Sequence, residues 1–428
     1  AHCFQGIPPS EIIIPYPSIR SLLDSQTRRY DEKPFLIYYD EKNHRSEYSF
    51  RDVFQMVSKT ANFLESENCT FGDRVAIDTS NRVETIIQYF SVWMIGGTAV
   101  VIDKNQSAKV IEKIIRETKV KLFFTQPEIS QEHRDLRQKL LGFTNVIETT
   151  PDFITSFLEN QSETYKIGMK SKLRDDGLIF YKSPKNSSSI GVILSHYNLM
   201  VNGMGIADWN RLSDEQPVVC GVNLVDIEGI TGCLMMSLYS GAPIIILEQH
   251  YPSSIVNAIS NERAQVAIVN PKTLKQLTDQ TFPKKDFPTF RHFLCTQPIS
   301  PELIETVKKK LNVPVISGYS IPETTSFSTF LPLDFSIEDY HKMKVNKNYL
   351  PIGYPSHPNE LDIQNNKSKS LSEGEKGEIV IRGHNVMKGY FKNKKATEDV
   401  FKHGWLHTGK QGLYLKDKSC KRFYFQKL

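Results

Sequence analysis

Two short segments hold the residue types that phosphate and metal chemistry need. The first is the loop after Tyr181, KSPKNSSSIG, running from Lys182 to Gly191. A loop that cradles phosphate brings backbone N–H groups against anionic oxygens, which glycine permits because it lacks a Cβ, and it usually adds a lysine. Lys182 and Lys185 supply charge here and Asn186 to Ser189 supply donors, but Pro184 has no N–H and a fixed φ. As a triphosphate cradle the loop is poor, and a polar surface loop is the simpler reading. The second segment is SGYSIPETT, Ser317 to Thr325, which follows a predicted strand. Glu323 offers the carboxylate oxygen that hard Mg²⁺ prefers, and Tyr319 offers a flat face for a base. A lone Glu in a turn is usually just solvated, so a ligand role and a solvated role stand level.

Three further positions bear on chemistry. Lys410 closes the string Trp405 to Lys410, and an ammonium has three donors and no acceptor. The turn Asn223 to Ile230 carries Asp226 and Gly229. His196 and His407 also lie in turns, where a histidine is more often a packing or hydrogen-bonding residue than a catalyst, and neither is assigned a chemical role.

The elements that must position these residues alternate in type. Residues 1 to 34 are proline-rich with one helix from Ser18 to Tyr30, and a hairpin pairs Phe35 to Tyr39 with Arg45 to Tyr48. Ser49 caps a helix whose apolar face is Phe50, Val53, Phe54, Val57, Ala61 and Leu64. Strands at Arg74 to Asp78, Thr98 to Ile102 and Lys121 to Thr125 then alternate with helices at Arg82 to Ile95 and Ala108 to Thr118. After a polar region, strands follow at Leu178 to Tyr181, Pro243 to Leu247, Val266 to Val269, Phe293 to Cys295 and Pro314 to Ile316. A helix spans Pro301 to Leu311. Strands separated by helices imply parallel sheets with helices on their faces. From about Leu350 short strands and turns take over, and Glu360 to Gln364 pairs naturally with Gly377 to Arg382.

With 428 residues the chain can build two or three compact units around a large core. Its net charge of +5 is the small difference between 53 basic and 48 acidic residues, too mixed to argue for nucleic acid. No apolar run approaches a membrane span. The six cysteines lie far apart without metal-ligand spacing, which suggests free thiols in a reducing compartment and a cytoplasmic protein. There is no signal-peptide pattern, and the first residue is Ala1 rather than Met, so processing and a fragment are both open. Gln426-Lys427-Leu428 is not counted as a peroxisomal address.

The most informative stretch is Gly377 to Gly409, GEIVIRGHNVMKGYFKNKKATEDVFKHGWLHTG. Read locally it is a strand with Ile379 and Ile381 alternating against Glu378, Val380 and Arg382, a turn or two of helix from Ala396 to Phe401, and a glycine-bracketed turn around Trp405. In full it resembles a segment of the AMP-forming acyl-activating enzymes, the acyl-CoA synthetases, adenylation domains and luciferases, whose pattern runs GE-hydrophobic-x-x-RG-x-x-V-M-x-GY and then W-hydrophobic-x-TGD. About thirty positions agree in order; Lys410 stands where that pattern has Asp.

The resemblance implies an α/β fold, with layered α/β subdomains at roughly 35–200 and 201–345 and a small β-barrel-like subdomain at 346–428. It implies the large N-terminal domain alone, since the chain stops where the family has its hinge, or else a piece of a longer protein with the lid elsewhere. It implies ATP and Mg²⁺ as cofactors if the protein is active, with CoA as acceptor and a carboxylic acid or acyl ligand as substrate. Anchored on Gly191, the family loop TSG-(S/T)-TG-x-PKG keeps Ser183 and Gly191, but Pro184 and Ser187 replace its two internal glycines and Ile190 its lysine. Against GYG-x-TE-T, the chain keeps Gly318, Tyr319, Glu323 and Thr324, with Ser320 for the second glycine and Pro322 for the threonine. Those matches imply Tyr319 on adenine, Glu323 as catalytic and Mg²⁺-holding carboxylate, and Ser183, Gly191, Gly318 and Thr324 as cofactor-binding; Lys185 joins them for its charge, at a position the family loop does not use. Arg382, from the RG match, implies a contact on the nucleotide side. Lys410 stands where a carboxylate accepts both ribose hydroxyls. Asp226, replacing the histidine of P-L-F-H-x-x-G, and Gly229 imply an acyl pocket. The phosphate loop, Pro322, Lys410 and the lid all bear on one reaction. The expectation is therefore this family's fold with carboxylate activation impaired or lost, serving as a binding or scaffolding module with a protein partner; an active AMP-forming carboxylate–CoA ligase is the alternative.

Overall fold

A computed structural model describes residues 11, 13–127, 131–150, 152–166, 171–182, 189–280, 288–342, 348–357, 359–419 and 421–427. Arg74–Asp78 lies inside a seven-stranded sheet of the described residues, flanked in parallel by the central strand Thr98–Ile102 and by Leu122–Thr125. Both flanking strands are buried along their whole length, as strands covered by helices on both faces must be. Asp176–Lys182 extends the sheet in parallel, and Ile190–Ser195 folds back on it antiparallel. Ser49 does cap the helix Phe50–Ser66, in a reciprocal capping box with Asp52.

The second sheet has fourteen strands. Val218–Gly221, Ile244–Leu247, Val266–Val269, His292–Cys295 and Val315–Ile321 run parallel, with Pro34–Tyr39 and Arg45–Ser49 at one edge. Beyond Val315–Ile321 every step is antiparallel: Ser326–Phe330, Tyr349–Pro355, Arg422–Lys427, Trp405–Lys416, Gly377–Gly383 and Asn359–Gln364. Between the sheets lie Val83–Met94 and His196–Asn210, buried on nearly all sides, and their apolar residues join strands of both sheets in one core. The approach is close: a Cβ on Gly203 would sit 2.8 Å from the Met235 backbone.

The layered α/β frame is as the residues suggested, but three features differ. The C-terminal β-unit is not a closed barrel. Both edges of Tyr349–Pro355 are occupied, by Arg422–Lys427 and Ser326–Phe330, so among the described residues Asn359–Gln364 pairs only with Gly377–Gly383 besides a single bridge to Ser370. The hairpin Pro34–Tyr39/Arg45–Ser49, expected with the first α/β unit, borders the larger sheet instead. Gly389–Tyr390 crosses the other way and pairs with Ile190–Ser195. Among the described residues no helix is long and apolar enough to cross a membrane, and Cys69, Cys220, Cys233 and Cys295 are free and buried.

Candidate functional site

Three elements converge on Glu323. Val315–Ile321 and Ser326–Phe330 are antiparallel neighbours joined by a 3₁₀ turn, Pro322–Thr324. Pro322 fits there because the first residue of a helical turn needs no N–H partner and wants the φ that proline imposes. Thr325 follows in the left-handed region at φ 60°, its N–H bonded to the Pro322 carbonyl at 3.0 Å. Glu323 is buried, and its Oε1 accepts from the Lys182 ammonium and, at 2.7 Å, from the Tyr390 hydroxyl. Lys182 ends the strand Asp176–Lys182, and Tyr390 arrives on the crossing pair Gly389–Tyr390. The ammonium also lies 5.6 Å from the Tyr390 ring centroid. Burial, reinforced by the Glu323 charge, holds the Tyr390 hydroxyl well above the ordinary phenol range, so it donates and does not ionise.

Around this trio is a cavity of about 350 Å³, whose walls include Ile321, Glu378, His407, Thr408 and Gly409. The Glu378 carboxylate is engaged at both oxygens: Oε2 with His407 Nδ1 at 2.8 Å, and Oε1 with the Gly409 N–H at 2.8 Å. Lys410 follows on the same strand, exposed, its backbone N–H donating to Thr408 Oγ1 at 3.1 Å.

The other sequence-derived candidates are placed as follows. Tyr319 is only 3 % exposed, its ring packed with Ile352, Leu361, Ile379 and Tyr424 inside the β-unit, so it presents no open face. Thr324 is fully buried, and its hydroxyl is used within the turn, donating toward the Ile321 and Ser326 carbonyls and accepting from Ser328 at 2.6 Å. Gly318 is demanded by strand contact, since a Cβ would lie 2.3 Å from the Thr329 carbonyl. Gly191 likewise packs under Tyr181, Ile179 and Phe391. Arg382 is not in this cavity. It ion-pairs with Glu360, Nε to Oε2 at 2.6 Å, stacks 4.4 Å from the Trp405 ring centroid, and faces a separate cavity of about 950 Å³. Along an extended strand neighbouring side chains take opposite faces, and Arg382 lies on the face opposite to buried Ile381. Ser183 and Lys185 lie outside the described residues.

Asp226 and Gly229 form a tight turn that leads into the π-helical segment Glu228–Met235, with Gly229 as its second residue; the Gly229 N–H donates to the Asp226 carbonyl at 3.0 Å, and a Cβ there would meet the Asn223 carbonyl at 2.2 Å. Burial raises the Asp226 carboxyl. Glu228, which no sequence pattern singled out, accepts from Ser320 Oγ and is pushed up to about 7 by burial, tying this turn to the strand that carries Tyr319. His196 is fully buried, and burial pushes it down to about 4, so it is a neutral core residue. In the sequence Tyr390 is only the tyrosine of the GY match and Lys182 only a loop charge; nothing there pairs them with Glu323.

Mg²⁺ does not fit Glu323 in this arrangement. Its carboxylate already neutralises an ammonium, and among the described residues no three His, Cys, Asp or Glu side chains come together as a metal cluster.

Comparison with known proteins bears on the whole chain. The AMP-binding enzyme family matches residues 23–391. An oxalate–CoA ligase of Arabidopsis thaliana is 25 % identical over 356 residues, covering 81 % of this chain and 67 % of that protein. A crotonobetaine/carnitine–CoA ligase of Escherichia coli O6:K15:H31 is 24 % identical over 423 residues, covering 94 % of this chain and 80 % of that one. The inhibitor-bound N-terminal domain of FACL13 from Mycobacterium tuberculosis superposes with a TM-score of 0.84 at 19 % identity, covering 96 % of this chain and 99 % of that domain.

Proposed function

The chain belongs to the AMP-binding enzyme family, and we propose that it is an acyl-CoA-synthetase-like member whose ATP-dependent carboxylate activation is impaired or lost, leaving a binding or scaffolding module. Joining a carboxylate to AMP requires the charge on the α-phosphorus transition state and the departing pyrophosphate to be stabilised, with the nucleotide held in place meanwhile. One observation carries the reading. Where two ribose hydroxyls need an acceptor, Lys410 offers only donors, and the nearest carboxylate on the partner strand, Glu378, is already bonded to His407 and Gly409. Two lost charge-assisted hydrogen bonds, at about 1.5–3 kcal/mol each, weaken nucleotide binding on the order of a hundredfold or more.

The buried Tyr319 ring and the internally satisfied Thr324 hydroxyl support the same reading. The alternative, an active carboxylate–CoA ligase using ATP, Mg²⁺ and CoA, is favoured by the Pro322–Thr324 turn, which still delivers Glu323 to the cavity wall. It requires Lys182 to leave that carboxylate. Calorimetric titration with ATP·Mg²⁺ and with AMP, beside pyrophosphate release over a panel of carboxylic acids, separates the two. The proposal expects no micromolar ATP binding and no acid-dependent pyrophosphate; finding both overturns it.

A further inference from the structure

We infer that the Lys182 ammonium is the resident cation of this cavity, standing on Glu323 in place of a divalent metal, so that any anionic ligand taken there binds free of metal. The inference rests on the reading of this cavity as the reaction site of the fold, and goes beyond it by naming what balances the charge. Glu323 is held both by its backbone and by its carboxylate. Its own carbonyl accepts the Met387 N–H at 2.8 Å, it lies within a 3₁₀ turn, and Tyr390 fixes the same oxygen that Lys182 holds. A divalent ion on the remaining oxygen would share one carboxylate with a cation already in place. The ammonium has the more favourable surroundings: besides the carboxylate it lies near the face of Tyr390, and its side chain is only 35 % exposed. Lysine also brings its charge covalently, whereas Mg²⁺ surrenders its water reluctantly and usually enters with substrate phosphates.

The cavity therefore starts out neutral at Glu323 rather than positive. A ligand such as a nucleoside monophosphate meets one ammonium, and its affinity is indifferent to metal.

The test is Mn²⁺ binding followed by electron paramagnetic resonance on the full chain, with AMP as the anionic probe. The wild type is expected to bind no Mn²⁺ below millimolar concentration, and Lys182→Met to gain a site at least tenfold tighter that disappears again in Lys182→Met/Glu323→Gln. Should Lys182→Met not fold, AMP binding to the wild type in EDTA against Mg²⁺ decides: equal affinity within a factor of two supports the inference, and a tenfold gain with Mg²⁺ overturns it. Tight Mn²⁺ binding by the wild type that Glu323→Gln removes also overturns it. Pyrophosphate release is scored separately, since a catalytically silent protein that still binds Mn²⁺ at Glu323 refutes this inference and leaves the proposed function standing.

Discussion

Breaking the Lys182–Glu323 pair from either side should destabilise the protein unequally. Glu323 is 8 % exposed at its side chain and Lys182 35 %. A fully buried pair broken from one side costs about 3–5 kcal/mol, and an exposed pair is worth about 0–1, so this one falls between. Glu323→Gln keeps an oxygen for the Tyr390 hydroxyl, now 2.7 Å away, and the freed ammonium can turn to water; about 1 kcal/mol is expected. Lys182→Met leaves a buried carboxylate with Tyr390 as its remaining partner, and about 2–4 kcal/mol is expected. The double variant should lose less than the sum, with a coupling of about 1–3 kcal/mol. Urea unfolding followed by tryptophan fluorescence reads this directly, provided the denaturant slope is unchanged across the four proteins. Two single variants within about 0.5 kcal/mol of wild type, and a double variant that is additive, would refute the claim that this carboxylate is committed to the lysine.

Three other outcomes follow from named contacts. Lys410→Asp restores a ribose acceptor and should tighten AMP by roughly ten- to a hundredfold in calorimetry, worth one to two charge-assisted hydrogen bonds; unchanged affinity would mean the ribose does not lie there. Asp78 is buried with Oδ1 unpartnered and only a 3.4 Å contact from the Gln126 N–H to Oδ2, and burial pushes its carboxyl up to about 7. The folded state thus holds a proton that the unfolded chain releases near its ordinary value of 3.8. Stability from this group is full below that value and is lost as pH rises toward 7, so Asp78→Asn should stabilise the protein at pH 8, by on the order of 2–4 kcal/mol, and change little at pH 4. Denaturation midpoints at the two pH values check it. Gly229→Ala places a methyl 2.2 Å from the Asn223 carbonyl and should cost on the order of 2 kcal/mol or more, read as a lowered melting temperature.

What the sequence displayed and what it hid follow from burial. Phe50–Ser66 was legible because one face is apolar and Ser49 marks its start, and Gly377–Gly383 because its residues alternate. His196–Asn210 was not, because it is buried nearly all round between the sheets and so shows no stripe for periodicity to catch. The strand Trp405–Lys416 read as a turn because Gly404 and Gly409 bracket it, yet Gly409, at φ 70°, interrupts the ladder with Gly377–Gly383 without ending the strand. Trp405 is half-buried beneath Arg382. At the site, residue types marked Glu323 and Lys410 as worth attention. The contact that decides Glu323's chemistry spans 141 residues, and no local pattern encodes a partner so distant. Arg382 satisfied its motif, but strand alternation sends its side chain to another cavity.

The most direct test is exchange of labelled pyrophosphate into ATP by the purified full chain, with Mg²⁺ and each of a panel of carboxylic acids. The exchange reports reversible adenylate formation alone, without need of CoA. No acid-dependent exchange is expected from protein that unfolds cooperatively. Exchange that saturates with one acid and vanishes in Glu323→Gln would contradict the proposed function, and would make this chain a working carboxylate-activating enzyme.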